Sequence, residues 1–494
     1  MQYKYIFWDF NGTVIDDVQV ALTCVNDMLD RRGKPHINME QYYDYVETPI
    51  IGFYRHILTP EELDFDVISR DYHSDYARHG DMLKLADGVY ELIHELKDAG
   101  AHQYIITATH TDEANALLKE FGIRDCFDEV LGAGNLLAES KAGRALELFD
   151  SLGIDRNEAI FIGDTLHDLE TANVLGIDCI LVAYGHQGKK LLGSHNAYTV
   201  DTPADIRRVL YDERTIDLHA HSTCSDGTLT PAELVRKAKE NGLSALALTD
   251  HDSVDGLKEA AAEAEKAGID FVPGIELSTS QGAEIHILGL YIDPENEELQ
   301  NLIAELKTIR AARMEKMCEK LRELGMDVTV EDAAARAGCK KFIGRPHIAL
   351  ALVEKGYCGS IQEAFDKYIG MGKPAYVEKL VLNANDAVKA IRRAGGIAVL
   401  AHPHQTGFDS EKLDMLVDSL KKDGLNGIEG YYTEYTKEHI SDFRALAAKY
   451  SLILSGGSDY HGSTKPHIGL GTGLGELRVP YFVLENIKNS RGNQ

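Results

Sequence analysis

TIDLHAHST, residues 215–223, is a short apolar run that ends in two histidines set two apart. A strand sends alternate side chains to one face, so His219 and His221 aim the same way. The ending recurs along the second half of the chain. SALALTDHD (244–252) carries His251, FVPGIELS (271–278) carries Glu276 and EIHILGLYI (284–292) carries His286. IAVLAHPH (397–404) carries His402, and LILSGGSDYHG (452–462) carries Asp459 and His461, while Asp226 follows the first run in an SDG loop. Such runs, separated by helical stretches, read as parallel strands of an α/β barrel. Ligands at their C-terminal ends would meet on the face where barrels keep their chemistry. A single strand histidine is usually a packed or hydrogen-bonded one; nine metal-binding residues in this pattern read as a metal cluster. They are too many for one ion, since a catalytic zinc takes about three protein groups and a water. Two or three divalent ions bridged by Glu276 fit the number better.

A second pattern lies at the other end. YIFWDFNGTV (5–14) is an apolar run stopping in an acidic, glycine-bearing loop with Asp9 and Asn11. IITAT with Thr107, AESKAGRALEL with Lys141, and FIGDTLHDLETANVLGI with Asp164 and Asp168 follow in order.

The C-terminal motifs DLHAHSTCSDGTLTP, LTDHDS, GIELS, IHILGLY, AHPH and GGSDYHG resemble the polymerase and histidinol phosphatase (PHP) family over roughly residues 214–475. The branch most similar is that of nucleoside bisphosphate phosphatases and 5′→3′ exoribonucleases, whose helical insertion resembles RAARMEKMCEKLRELG and GRPHIALALVEKGYCGSIQEAFDKYIGMGKPAYV. The resemblance implies a distorted (β/α)7-type barrel interrupted by that insertion at about 300–375. It implies one ion on His219, His221, Glu276 and Asp459, a second on Glu276, His286 and His402, and a third on Asp226, His251 and His461. Manganese, iron and zinc all suit such a donor set. Water activated between the ions would attack phosphorus in line, with His402 or His461 aiding the leaving oxygen.

The N-terminal motifs resemble the haloacid dehalogenase (HAD) superfamily, closest to its phosphoglycolate phosphatase-like group, over about residues 1–205. The implied fold is an α/β Rossmann-like core with a helical cap at about 15–85. The implied roles are Asp9 as nucleophile, magnesium on Asp9 and Asp164, Thr107 and Lys141 on the phosphoryl oxygens, and Asp168 in support. One residue departs from the motif: the general acid–base aspartate is Asn11. An amide neither gives nor takes a proton at neutral pH, and positioned acid–base help is worth about 10²–10⁴-fold. A weak, restricted or lost phosphatase is therefore expected, or a sensor or scaffold.

The expected layout is a HAD-like domain over 1–213, a PHP domain over 214–475 and an extension over 476–494. The net charge of −28 divides into roughly −20 before residue 214 and −8 after it. No basic run is present, so long nucleic acid is not an expected partner. A small phosphorylated nucleotide, such as a 3′,5′-bisphosphate or a short RNA 5′ end, is. A sugar or histidinol-type phosphate is the rival substrate, against which the RPH-bearing insertion speaks. In that insertion Arg345 and His347 are the substrate-binding candidates, whereas Arg310 and Arg313 read as helix-surface charges. Seven cysteines without a CxxC pair make no disulfide framework. No apolar stretch reaches membrane-spanning length, and no basic segment with an apolar signal core opens the chain, which makes the cytoplasm the expectation. GLGTGLG (469–475) reads as a turn and the SRGNQ tail as loose.

Overall fold

The computed structural model describes residues 1–47, 50–133, 141–335, 343–377 and 382–492. They form two compact units, Met1–Glu213 and Arg214–Gln494.

In the first unit the apolar run Tyr5–Trp8 becomes β1, the middle of a six-stranded parallel sheet. Its companions are β4 (His102–His110), β5 (Glu129–Ala133), β6 (Ala159–Gly163), β7 (Asp178–Val182) and β8 (Thr199–Val200), in the order β5-β4-β1-β6-β7-β8. Strands buried on both faces need continuous apolar sequence, which YIFW and AIFI supply. The order places the ends of β1, β4 and β6 side by side, so Asp9, Thr107 and Asp164 become neighbours. Between β2 (Ile15–Asp16) and β3 (Lys84–Leu85), an antiparallel pair, the described residues make four α-helices with a core of their own, including Leu22, Met28, Phe53 and Ile68. The buried Asp75 fastens the first of these, Val18–Arg31, to the last, Phe65–Arg78, through two hydrogen bonds from the Arg31 guanidinium.

The second unit is a seven-stranded barrel. β9 (Ile216–Asp217), β10 (Ala245–Leu248), β11 (Asp270–Ser280), β12 (Glu284–Leu290), β13 (Ile397–Ala401), β14 (Gly427–Tyr432) and β15 (Ile453–Gly457) pair in sequence order. Backbone bonds from Leu218 to Gly456 (3.1 Å), Asp459 to His219 (2.9 Å) and His221 to Tyr460 (2.9 Å) draw the first strand against the last. Alternation sorts the side chains. Ala245, Ala247, Val272, Leu288, Leu290, Ile397 and Val399 form one apolar cluster with the C-terminal helix Tyr481–Gly492, and Leu246, Leu248, Ile275, Ile287 and Leu400 pack in another with the surrounding helices. That helix carries Ser490 to Gly492, so the tail expected to be loose is ordered that far.

The expectation of parallel strands throughout is corrected at β12, which runs antiparallel to both neighbours. Only Gln281, Gly282 and Ala283 join it to β11, with Gly282 at φ 83. A parallel partner needs a crossover of a dozen or more residues, so this short link dictates a hairpin. The reversal puts His286 near the start of its strand rather than the end. The insertion begins as a 27-residue helix, Glu297–Glu323, followed by shorter helices around Met314, Leu321, Ile348 and Leu352.

Candidate functional site

Glu276 sits on β11 with no solvent exposure, among five imidazoles. Its Oε2 lies 3.3 Å from His219 Nε2, 3.2 Å from His221 Nε2 and 3.0 Å from His251 Nδ1. Its Oε1 lies 2.8 Å from His286 Nδ1 and 3.0 Å from His402 Nε2. Asp459 Oδ1 approaches His219 at 3.4 Å and His221 at 3.2 Å, and Asp226 Oδ1 approaches His461 Nε2 at 3.2 Å. Three groups have ligand atoms close enough to share an ion: His219, His221, Glu276 and Asp459; His251, Glu276 and His286; and His221, Asp226, His251 and His461. The first matches the set implied by resemblance. The second has His251 in place of His402, and the third adds His221, which stacks on His461 at 4.1 Å and lies 4.6 Å from His251, so His221 and His251 each serve two groups.

Among the described residues, six buried atoms here face an ion-pairing group at close range without a well-aligned hydrogen bond: His219 Nε2, His221 Nε2, Asp226 Oδ1, His251 Nδ1, Glu276 Oε2 and His286 Nε2. Leaving a buried polar atom unsatisfied costs about 1–3 kcal/mol. Six converging ones, on nitrogen and carboxylate oxygen, suit divalent cations. Burial works against charge on Glu276, but the surrounding imidazoles hold its carboxyl well below the usual range. Asp459 behaves likewise, with Lys465 the leading favourable neighbour.

The sequence reading missed the partners that aim these ligands. Glu429, fully buried on β14, takes His219 Nδ1 on one oxygen (2.9 Å) and the His402 backbone N–H on the other (2.6 Å). This fixes His219 with Nε2 toward the cluster. Tyr432 and Lys465 both donate to Asp459 Oδ2, at 2.8 and 2.7 Å, leaving Oδ1 for the site. Asp250 accepts from Ser222 and Ser225, pinning the loop that delivers Asp226. An acid inside an apolar run, as in GIEGYY, was the available signal. His402 (φ 27), Asp459 (φ 56) and Asp252 (φ 47) hold left-handed backbones here, strain that concentrates at working sites.

A cavity of about 260 Å³ opens beside the ligands, lined by Asp226, His251, His286 and His402 and by the insertion's Arg310, Arg313 and Arg345. Leu306, Ile309, Met314 and Phe365 add an apolar surface. The surface-charge reading of Arg310 and Arg313 is thus corrected: this face of the long helix covers the site. Arg310 pairs with Asp252, and burial brings its pKa down to about 10. Arg345 lies 3.4 Å from Glu284. His347 does not line the cavity; it is buried, and its Nδ1 accepts the Gly344 N–H at 3.0 Å at the start of helix Arg345–Glu354.

In the first unit Asp9, Asp164 and Asp168 gather close enough to share an ion. Lys141, nearly buried, donates to both Asp9 and Asp168. Burial, abetted by Asp168, raises the Asp9 carboxyl to about 6 against the pull of Lys141. Thr107 is buried in β4 and takes the Thr109 N–H on its Oγ1. Asn11 Nδ2 donates to Asp17 Oδ2 at 2.9 Å and to the Tyr76 hydroxyl at 3.0 Å, and its Oδ1 accepts from Thr109 at 2.6 Å. Asp17 also receives the Gly12 N–H, the Tyr76 hydroxyl and His186 Nε2.

The PHP domain profile matches residues 217–468, slightly over half of the chain. The chain belongs to the PHP family. Residues 6–182 match the haloacid dehalogenase-like hydrolase profile, so a HAD-like region precedes the PHP domain. The PHP half is 38% identical over 257 residues to a 3′,5′-nucleoside bisphosphate phosphatase of Chromobacterium violaceum, covering 50% of this chain and 87% of that one. It is 35% identical over 246 residues to a 5′-3′ exoribonuclease of Haemophilus influenzae, with 50% and 89% covered. A solved amidohydrolase structure from Chromobacterium violaceum, with bound sulfate and no metal, superposes at a TM-score of 0.51 with 33% identity over 56% of this chain and 96% of that one. The two hydrolase domains with their ligand clusters make this PHP protein a phosphoester hydrolase.

Proposed function

We propose that the PHP half hydrolyses small phosphorylated nucleotides, a 3′,5′-bisphosphate or the 5′ end of a short RNA. The observation that carries this reading is the pairing of two anion-seeking surfaces in one cavity. Ligands for cations lie on one side, and Arg310, Arg313 and Arg345 come from the insertion. Guanidinium forks suit phosphate oxygens, and Phe365 with its apolar neighbours suits a base or ribose. A substrate with two phosphates would have one at each surface. Relatives named for nucleoside bisphosphates and for RNA support the same class.

Two or three ions of manganese, iron or zinc would be held by the three groups, two of which share Glu276, with His402 beside them. Bound there, they would activate water and offset the charge growing on phosphoryl oxygens. The chain's own part is to orient. Glu429 and Tyr432 fix the ligands, the arginines hold the far phosphate, and His402 and His461 stand near enough to the cluster to receive or return a proton. In the HAD-like half, Asp9 and Asp164 would hold magnesium, with Thr107, Lys141 and Asp168 around the phosphoryl group. Asn11 supports a restricted phosphoryl-transfer site rather than a general phosphatase.

The test joins metal analysis of the purified protein to phosphate release from nucleoside bisphosphates, short RNAs and simple phosphomonoesters. Glu276→Ala should lower bound metal and cut nucleotide hydrolysis by more than the roughly 10–100-fold typical of losing an outer partner. Full activity in that variant would remove the PHP half as the catalyst.

A further inference from the structure

The HAD-like site is intact where a phosphoryl group is received and altered where protons are handled. Lys141 binds Asp9 and Asp168 together, and Asp164 completes the acidic group. Asn11 is no loose remnant of a lost carboxylate. Both of its amide hydrogens are engaged, by Asp17 Oδ2 and by the Tyr76 oxygen, and its carbonyl takes the Thr109 hydroxyl. Asp17 is 1% exposed and offers only acceptors to this contact, so the neighbourhood selects an amide; a carboxylate at position 11 would face another carboxylate at 2.9 Å.

We propose that Asp9 is a phosphorylation site, which takes the phosphoryl group of a small acyl phosphate and retains it. The inference rests on reading this half as a phosphoryl-transfer site. In the forward step an Asp9 carboxylate oxygen bonds to phosphorus, and the bond from phosphorus to the acyl oxygen breaks. The electron pair leaves with the acyl group as a carboxylate. Carboxylic acids have pKa values near 4, so that leaving group needs no proton at neutral pH. An alkyl phosphate would release an alkoxide, which needs the acid that Asn11 cannot be. Clearing the aspartyl phosphate requires water to lose a proton as it attacks. Asn11 accepts none, Lys141 is a cation already paired with two carboxylates, and the Asp17 carboxylate is taken up by Asn11, Gly12, Tyr76 and His186. The charged form therefore outlives its formation.

The full-length protein with magnesium and acetyl phosphate tests this by intact mass. The expected result is one added phosphoryl group per chain, cleaved by hydroxylamine as an acyl phosphate is, mapped to Asp9 in the wild-type chain and missing from Asp9→Asn. Mapping on the wild type keeps the result readable if the variant does not fold. Asn11→Asp combined with Asp17→Asn removes the carboxylate clash and supplies a base, and should shorten the adduct's lifetime by about 10²-fold or more. Asp9-dependent phosphate release without accumulation would overturn retention while leaving phosphoryl transfer standing. Neither adduct nor Asp9-dependent release would overturn both readings, and an adduct that persists in Asp9→Asn would overturn the assignment.

Discussion

His219 presents two nitrogens to two carboxylates: Nε2 lies 3.3 Å from Glu276 and Nδ1 lies 2.9 Å from Glu429. The division of labour between the two acids explains what the sequence disclosed. Glu276, at an apolar run's ligand-bearing end, announces itself beside eight other donors. Glu429 lies in the middle of GIEGYY, an acid in an apolar run, but its partners His219 and His402 reach it only through the barrel. Glutamine in its place keeps the size but loses the anion that orients and polarises the imidazole. Glu429→Gln should weaken metal binding by about 10–100-fold, read by competition with a chromogenic chelator, while circular dichroism stays unchanged. Unaltered affinity would mean that Glu429 only fills space. Asn11 shows a different limit of legibility: the substitution is plain in FNGTV, but the amide's partners are 6, 65 and 98 residues away.

At the scale of elements, the strand-end pattern carried the α/β architecture of both units, while pairing direction needed the turns. SQGAE is short and glycine-bearing, a hairpin signal outweighed by the apolar pattern on either side. The helix Glu297–Glu323 posed the opposite difficulty. Charged residues on a long helix are usually solvated, and only packing reveals that Arg310 and Arg313 line the cavity. Arg313 donates Nε to the Val377 carbonyl at 2.9 Å, and its guanidinium, at the cavity wall, lies 5.5 Å from the centre of the Tyr376 ring. If the insertion recognises the phosphate that is not cleaved, Arg313→Ala should raise KM for a nucleoside 3′,5′-bisphosphate by about tenfold or more, the loss of one charge-assisted contact of about 1.5–3 kcal/mol. The kcat/KM for an aryl monophosphate, which lacks the second phosphate, should change little. Equal losses on both substrates would assign the arginine to folding or to the reacting phosphate instead.

Across the whole molecule, charge argues for a small substrate. The chain carries −28 formally and has no basic run longer than two residues. Arg310, Arg313 and Arg345 of the insertion line one cavity of about 260 Å³. A polyanion held along a track gains affinity by releasing counterions, and about 6–10 phosphate contacts lose some 10³–10⁵ in affinity between about 50 and 200 mM salt. A ligand held by one arginine cluster releases few counterions. Apparent affinity for a bisphosphate mononucleotide should therefore fall less than about tenfold over that range. Structured RNA should be a poor substrate at every salt concentration, because the chain is acidic overall and its clustered arginines line a single cavity. Hydrolysis of chain-length series from mononucleotide to long RNA, measured across salt, decides the matter. A steep salt slope growing with length would reveal a binding track, and the cavity would then be only the last station of a longer groove.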